Sequence, residues 1–451
     1  MHSARRAIMV GKLVTLRNVL PVVLLGFAGG LLPRALGAAA DPVFSAVPFN
    51  RWLAEGEQTH FRWTVRVGGA ELSSHQRLQT KVEVQVDGTE LINRRGHGQL
   101  VMMVQFQDSA ERVYQTHGVI DLENVKDDAG KSNVIYIQYA FVLPGDYRVS
   151  TLIFDAKTGE HSALQKSLHV NPLHNDPLPG AWADLPPVEL LVGMDAPDDW
   201  FRPDITGRLQ LPVSTHRPVR VEVLMNASSS VAGKGLSVGT VSNRGLAYLV
   251  PALKVLSQMD VAGGAPHVTL LDIPKRRVIF EQDAAHQLEW PRVRESLKEA
   301  DTNKIDVRSL EHREQNPQFF VEQIRQRLAG ANGETQAVGE PFRVLIVLSG
   351  PMTFDSGEDT HPIELGGKPN GRVYYVRYQS PPVRQLVNPL LEGPYFGRGR
   401  TRAAQQPPAQ VEPFDSLAPL LKPLEPRLFE VYSPEQFRKT VNSLMEEIGR
   451  L

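Results

Sequence analysis

Two strand-like segments in the second half of the chain constrain its fold more than any other feature. Phe342 to Leu348 is a near-continuous apolar run, as expected for a central strand of a parallel sheet that is covered on both faces. Val219 to Met225 is a second strand-like run, and further strands are predicted over 267–271, 277–281, 372–378 and 427–432. Helices alternate with these strands and are predicted over 246–259, 291–300, 317–329 and 434–449. Pro251 is expected in the first turn of the first helix, and Ser433 is expected to cap the start of the last one. This alternation predicts a doubly wound α/β domain over residues 219–451.

Polar residues follow both strands directly. Asn226, Ser228 and Ser230 come after the first strand, and Ser349 and Asp355 come at or after the end of the second. Open α/β sheets bind their ligands at the carboxyl ends of the strands, where these residues are expected to meet. The sequence therefore predicts that these five residues bind a partner at this edge of the sheet.

Three segments in this region resemble a von Willebrand factor type A (VWA) domain, with the closest likeness to the VWFA-related domain of secreted acidobacterial proteins. They are the cluster 226–230, the strand end 347–350, and the final strand, turn and helix start 427–439. The resemblance implies a Rossmann-like sheet. In the family, a metal-ion-dependent adhesion motif, Asp-x-Ser-x-Ser, binds Mg²⁺. An ion bound in the same way here would have Asn226, Ser228, Ser230 and Asp355 around it.

Both carboxylates of the family's metal site are replaced in this sequence. Asn226 stands at the position of the motif's first Asp, and Ser349 stands at the position of the Asp in a later Asp-Gly pair. Magnesium sites normally include carboxylates, because the ion requires octahedral oxygen ligation and loses its water reluctantly. We therefore predict a domain that binds a protein partner without a metal ion or another cofactor.

Residues 41–172 have the pattern of an all-β domain. Segments 60–67, 80–86 and 100–106 alternate polar and apolar residues, and turn signals such as Asp87-Gly88 separate them. A hairpin is predicted over 143–170, with a Pro-Gly turn and Tyr147 at its start. Together, these short strands predict an immunoglobulin-like β-sandwich.

Three further segments complete the predicted organisation. A Pro- and Asp-rich stretch, 173–218, is predicted as a linker with strand segments at 188–192 and 208–213. Residues 380–426 are predicted as a loop-rich insertion in the α/β domain. Residues 1–40 combine basic residues at the start, an apolar run from Val19 to Leu32, and the small residues Ala38 to Ala40. This combination predicts a secretory signal, and therefore a periplasmic, cell-surface or secreted protein.

The chain without this leader is acidic. Five of the 49 basic residues and none of the 50 acidic residues lie in 1–40, which leaves a net charge of −6. This charge argues against nucleic acid and against an anionic membrane as the main partner, so a membrane is expected only at an uncleaved leader. Because the chain contains no cysteine, thiol nucleophiles and Cys-ligated metal sites are excluded.

Two functions other than binding stay open at this point. Gly235 to Gly239 has the Gly-x-Ser-x-Gly form of an α/β-hydrolase nucleophile loop, in which Ser237 would need partners such as Asp355 and His361. In that fold a strand runs straight into the serine, whereas here the polar segment 228–234 intervenes. The chain could also be a structural envelope subunit that assembles with itself. A non-enzymatic binding or adhesion module of the cell envelope is the prediction that the sequence favours.

Overall fold

The computed structural model describes residues 41–56, 61–191, 205–228, 242–262, 264–284, 287–299, 307, 311–329, 341–354, 371–379 and 415–451. The predicted leader, residues 1–40, lies outside these ranges. The chain forms two compact units. The first contains the described residues up to Ser73 together with Arg77–Asp176 and Trp182–Arg208, and the second contains Ser74–Gln76, Pro177–Ala181 and Leu209–Leu451.

The first unit is built on two antiparallel sheets. Its strands are β1 Trp63–Val67, β2 Glu71–Leu72, β3 Leu78–Val86, β4 Gln99–Asp108, β5 Val113–Asp121, β6 Val134–Val142, β7 Gly145–Asp155, β8 His161–Val170 and β9 Val188–Leu191. One sheet has the order β1-β3-β6-β9, with β2 paired to β3, and the other has the order β5-β4-β7-β8. Its helices are α1 Pro42–Ala46, α2 Phe49–Glu55 and α3 Gly88–Asn93.

Alternate residues of the two sheets share one apolar core. Contributions from one strand of each sheet show the period of two: Val82, Val84 and Val86 from β3, and Leu100, Met102, Val104 and Phe106 from β4. Successive side chains of a strand point to opposite faces, so each sheet turns one of its faces toward this core. The three segments predicted as strands from their alternation are confirmed as β1, β3 and β4, and the predicted hairpin over 143–170 is confirmed as β7 and β8.

Two local features of this unit differ from the sequence-based expectation. Asp87-Gly88 is not a turn between strands, because Asp87 caps α3 by accepting the backbone N–H of Thr89 at 2.7 Å. An Asp side chain satisfies a free amide at a helix start as readily as it does in a turn. Helices α1 and α2 were not predicted at all, since they have only five and seven residues and give little periodic signal.

The second unit alternates strands and helices. Its strands are β10 Leu211–Val213, β11 Val219–Asn226, β12 Met259–Val261, β13 His267–Asp272, β14 Arg277–Asp283, β15 Phe342–Ser349, β16 Gly371–Tyr378 and β17 Arg427–Val431. Its helices are α4 Ser242–Leu256, α5 Trp290–Glu299, α6 Asn316–Ala329, α7 Leu417–Leu421 and α8 Pro434–Gly449. With the antiparallel sheets of the first unit, this makes the chain a mixed α/β protein.

The main sheet of the second unit has the strand order β14-β13-β11-β15-β16-β17. Neighbouring strands are parallel except for β14, which runs antiparallel to β13 at one edge. In chain order, β11, β13 and β14 extend the sheet toward one side, and β15, β16 and β17 extend it toward the other. The central strand β15 is buried from Val344 to Ser349, which explains its apolar sequence.

Pro251 is not in the first turn of its helix, as the sequence suggested. α4 begins at Ser242, so the proline lies in the helix interior. Proline removes one backbone hydrogen bond there and normally bends or ends a helix. The apolar residues on either side, Val250 and Ala252, are almost fully buried, and this packing outweighs the local preference.

The predicted linker and insertion also contain parts of the folded units. Within 173–218, β9 pairs with β6, and β10 pairs with β12. Within 380–426, residues 380–414 lie outside the described part of the chain. The remaining end carries α7, whose buried Leu417, Leu420 and Leu421 join the core between the main sheet and α6. The strands predicted at 188–192 and 208–213 are confirmed as β9 and β10. Helix α7 was not predicted, because five residues are too few to show a period.

Candidate functional site

Asn226 and Ser349 end two neighbouring strands of the main sheet. β11 and β15 are parallel, with Met225 opposite Leu348, so their carboxyl ends lie side by side. The sheet grows from β11 toward β13 on one side of this pair and from β15 toward β16 on the other. Such a reversal leaves a crevice at the carboxyl ends of the strands, which is where open α/β sheets bind ligands.

The amide of Asn226 connects these two strand ends. The residue is buried, and its Nδ2 donates to Ser349 Oγ at 3.1 Å and to Met352 Sδ at 3.3 Å. Its Oδ1 accepts the backbone N–H of Ser228 at 3.1 Å. Because only the amide oxygen can accept from that N–H, this contact assigns the NH₂ group to the side that faces Ser349.

Ser228 connects β11 to its other neighbour. Its hydroxyl donates to Asn226 Oδ1 at 2.8 Å and accepts the backbone N–H of Ile273 at 3.1 Å. Ile273 directly follows β13, the strand paired with β11 on that side. The hydroxyl is therefore used inside the protein, and only 6% of the residue is exposed.

A second group of buried polar side chains continues the site across β16. The hydroxyl of Tyr375 donates to Asp415 Oδ2 at 2.8 Å, and Asp415 Oδ1 accepts the backbone N–H groups of Met352 and Leu417 at 3.3 and 3.2 Å. Burial raises the pKa of Tyr375 well above its usual value, and Asp415 adds to this effect. Arg377 and Ser349 act in the opposite direction on this pKa. Met352 links this group to the Asn226 amide, because it contacts Asn226 through its sulfur and Asp415 through its backbone N–H.

Arg377, near the end of β16, pairs with two carboxylates, Asp415 and Glu430. Its Nη1 lies 3.3 Å from Asp415 Oδ2, and its Nη2 pairs with Glu430 of β17. Burial acts to lower the pKa of Arg377, but its contacts with Glu430 and Asp415 outweigh burial and raise the pKa overall. The guanidinium therefore stays charged and compensates Asp415. The network of buried polar groups thus extends over the ends of β11, β15, β16 and β17.

Asp272 is a carboxylate at the same edge, at the end of β13. It is buried, with Lys275 Nζ at 3.7 Å and Arg277 Nη2 at 3.4 Å from its Oδ2. Burial raises the pKa of Asp272, and the two cations oppose this effect. Because its charge is already compensated by Lys275 and Arg277, Asp272 does not supply a free carboxylate for an ion at this edge.

The described side chains at the switch between β11 and β15 do not fit a magnesium ion. The Asn226 amide directs NH₂ hydrogens, which repel a cation, toward Ser349. The Ser228 hydroxyl already accepts a backbone N–H, and the Ser349 hydroxyl donates to the Gly350 carbonyl oxygen at 2.6 Å. Mg²⁺ needs several oxygen ligands in octahedral geometry, usually with carboxylates among them.

The remaining predicted site residues cannot be compared with this geometry. Ser230 and Asp355 lie outside the described residues, as do Ser237 and His361 of the alternative hydrolase site. In the part of the chain that the structure describes, no group of three or more His, Asp or Glu side chains is arranged to bind a metal ion.

Sequence reasoning missed Tyr375, Arg377 and Asp415. Tyr375 and Arg377 are two residues apart in a strand that was predicted, so their common face could have been inferred. Asp415 gave no usable signal, because it lies in a stretch that reads as loop and is distant in sequence from Met352, Tyr375 and Arg377, which it contacts. Its role depends on the tertiary structure.

No family model and no curated protein matches the sequence. Among solved structures, one similar chain is described as "X-ray structure of Northeast Structural Genomics Consortium target SoR45". The two chains share 13% identity over 26% of this chain and 92% of that chain, with a TM-score of 0.17, so this similarity carries no argument. Among the helices of the described residues, none is long and apolar enough to cross a membrane.

Proposed function

We propose that this protein is an exported, non-enzymatic binding module of the cell envelope. In this proposal an immunoglobulin-like sandwich precedes a VWA-like domain, which contacts a protein partner at the carboxyl edge of its main sheet without a metal ion. The observation that carries the proposal is the Asn226 amide, which bridges two strand ends at the point where the sheet reverses its direction of growth.

The strand order supports the VWA-like part of the proposal. A six-stranded sheet that grows outward from β11 on one side and β15 on the other has the doubly wound arrangement that the resemblance implies. For the sandwich, support comes from Tyr147 near the start of β7. Its hydroxyl donates to the carbonyl oxygen of Leu143 at 2.8 Å, as in the tyrosine corner of immunoglobulin-like domains.

The chemistry of the edge supports metal-free contact. An Asp at position 226 would present an oxygen toward Ser349, whereas Asn226 presents an NH₂ group that donates to Ser349 and Met352. The network then stabilises the strand ends without an ion. Thr353 is exposed between the buried Met352 and Phe354 in the segment that follows β15, so its side chain is accessible to a partner.

A calorimetric titration with Mg²⁺ and with Ca²⁺ tests the metal-free part of the proposal. We expect no heat of binding in the micromolar range, and micromolar affinity for either ion would overturn that part. Treatment with a fluorophosphonate probe tests the non-enzymatic part. We expect no labelling, because labelling of Ser237 would instead establish the hydrolase.

A further inference from the structure

The outer face of the sheet β5-β4-β7-β8 carries two apolar rows beside a polar one. The strand registers align the first row as His117, Met103, Leu152 and Ala163, and the second as Val119, Val101, Phe154 and His161. The next row on the same face is polar: Gln115, Gln105, Ser150 and Gln165. The two apolar rows form an apolar strip with a polar row beside it, and the strip would be exposed to water if nothing packed on it.

Residues 41–56, which contain α1 and α2, cover this strip, and we call them the strap. Phe44, Phe49 and Trp52 of the strap form one buried cluster with residues of the two apolar rows: Val101, Met103, Leu152, Phe154 and Ala163. The rings of Trp52 and Phe154 lie 5.4 Å apart. This cluster shares no residue with the core between the two sheets, so the strap can leave its position without opening that core.

Polar contacts hold both ends of the strap. At its start, Asp41 Oδ2 lies 2.5 Å from His117 Nδ1 on the edge strand β5. At its end, Glu55 Oε2 lies 2.8 Å from His161 Nε2 on the opposite edge strand β8, and the Trp52 ring stacks on His161 at 4.4 Å. The strap thus spans the full width of the sheet, and the strip has complementary polar groups at both of its ends.

The strap ends at Gly56, which we call the hinge and whose backbone conformation suits only glycine. Gly56 has φ +77° and ψ −154°, a region of backbone conformation that residues with a Cβ almost never adopt. A Cβ built at this position would meet no atom within 4 Å, so a side chain there would strain only the backbone. In the sequence, four residues separate Gly56 from Phe61, which begins the rest of the unit.

We propose that the strap is exchangeable, and that the apolar strip is a docking groove that a second copy of this chain fills with its own residues 41–56. The second copy is the occupant that fits, because its strap has the same three aromatic residues and the same two carboxylates that match the groove. Exchange keeps the contacts of residues 41–55 and changes the backbone at the hinge residue Gly56, so it is an inexpensive route to a dimer.

The variant Gly56→Ala tests the exchange through its hinge. Alanine strains the backbone of the hinge in the closed monomer, and exchange releases this strain in both copies. The association constant for dimerisation should therefore rise about tenfold or more. The matched control is Gly159→Ala in the turn between β7 and β8, where φ is +74° and the space is also open. That turn takes no part in the exchange. The measurement is light scattering of the full chain over a wide concentration range. An unchanged dimerisation constant in Gly56→Ala, or an equal rise in Gly159→Ala, would overturn the proposal.

A labelled peptide with the sequence of residues 41–56 tests directly whether the apolar strip binds a second strap. The receptor is the full chain carrying Trp52→Ala, whose own strap is weakened, or the Gly56→Ala chain if the first variant does not fold. We expect saturable binding of the peptide, measured by fluorescence anisotropy, and at least about tenfold weaker binding of a peptide carrying the same Trp52→Ala change. Absence of binding, or equal binding of both peptides, would contradict the proposal.

Discussion

The two units of the chain use buried polar side chains in different ways. In the first unit, Arg77 and Glu189 form a buried pair, and Glu189 also accepts the backbone N–H of Thr206 at 2.6 Å, so the pair fastens a returning segment to β9. In the second unit, one set of buried polar side chains, around Asn226, Ser349 and Asp415, lies at the carboxyl edge of the main sheet. Another set, around Glu222 and Arg327, lies away from that edge. Buried polar groups add little stability compared with apolar packing. The position of the first set, at the edge where open sheets bind ligands, therefore favours a functional reason for it over a purely structural one.

The largest effect is expected from Asp415→Ala, which removes the centre of the edge network. Tyr375, Arg377 and two backbone N–H groups would lose an acceptor, and a buried cation would lose one of its partners. The free energy of unfolding of the second unit should fall by about 3–5 kcal/mol. Hydrogen exchange of β16 and α7 in increasing urea measures it. Asp415→Asn, which keeps acceptors for the N–H groups, is the control and should lose less.

The Arg77–Glu189 pair in the first unit provides the comparison, an ion pair with a structural role. Glu189→Gln should reduce the stability of that unit by about 3 kcal/mol at neutral pH, because it leaves Arg77 buried without a full countercharge. Burial acts to raise the pKa of Glu189, but the charge and hydrogen bonds of Arg77 lower it overall. The carboxylate therefore stabilises the fold above the ordinary pKa of glutamate, and this contribution is lost as pH falls through the lowered pKa.

Urea unfolding of the wild type and Glu189→Gln at several pH values provides the measurement. The stability difference should be largest at neutral pH and should shrink in acid. A difference that does not change with pH would show that Glu189 contributes by packing alone, and the contrast with the edge network would then be weaker.

Placing carboxylates at positions 226 and 349 tests whether the edge of the second unit could hold an ion. The double variant Asn226→Asp, Ser349→Asp should lose about 1–3 kcal/mol of stability without metal, because it buries charge among groups that now satisfy one another. It should regain part of this loss in Mg²⁺, whereas the single variant Asn226→Asp should regain less. Thermal unfolding with Mg²⁺ or with a chelator measures both. Equal stabilisation of wild type and double variant by Mg²⁺ would contradict the metal-free account.

The smallest effect is expected in the sandwich core. Thr151 on β7 is fully buried, and its hydroxyl has no hydrogen-bond partner among the described residues. Thr151→Val keeps the shape and removes the unsatisfied group, so it should stabilise the first unit by about 1 kcal/mol. Ser349→Ala, which removes a hydroxyl that is bonded at the sheet edge, should instead destabilise the second unit. Denaturant unfolding gives the free energy of unfolding of both variants. A stabilising Thr151→Val and a destabilising Ser349→Ala would support the difference between the two units.

Local patterns explain which parts of this account the sequence could predict. The apolar runs of β11 and β15 predicted two strands, and the helix start at Ser433 followed from its capping side chain, which accepts the N–H of Gln436. The meeting of Asn226 and Ser349 could be predicted because parallel neighbouring strands end at the same edge. The role of Asp415 could not be predicted, since it lies outside any helix or strand and depends on contacts with distant segments. The strap could not be predicted, since its two helices are too short to show a period.

Site-specific photo-cross-linking in the cells that make the protein tests the central claim most directly. A cross-linking residue at the exposed Thr353 probes the carboxyl edge, and one at the exposed Arg372, at the start of β16, probes the opposite edge of the same sheet. We predict a discrete protein adduct from position 353, none from position 372, and no change in the adduct when a chelator removes divalent ions. An adduct from position 372 alone, or loss of the position-353 adduct with the chelator, would contradict the account.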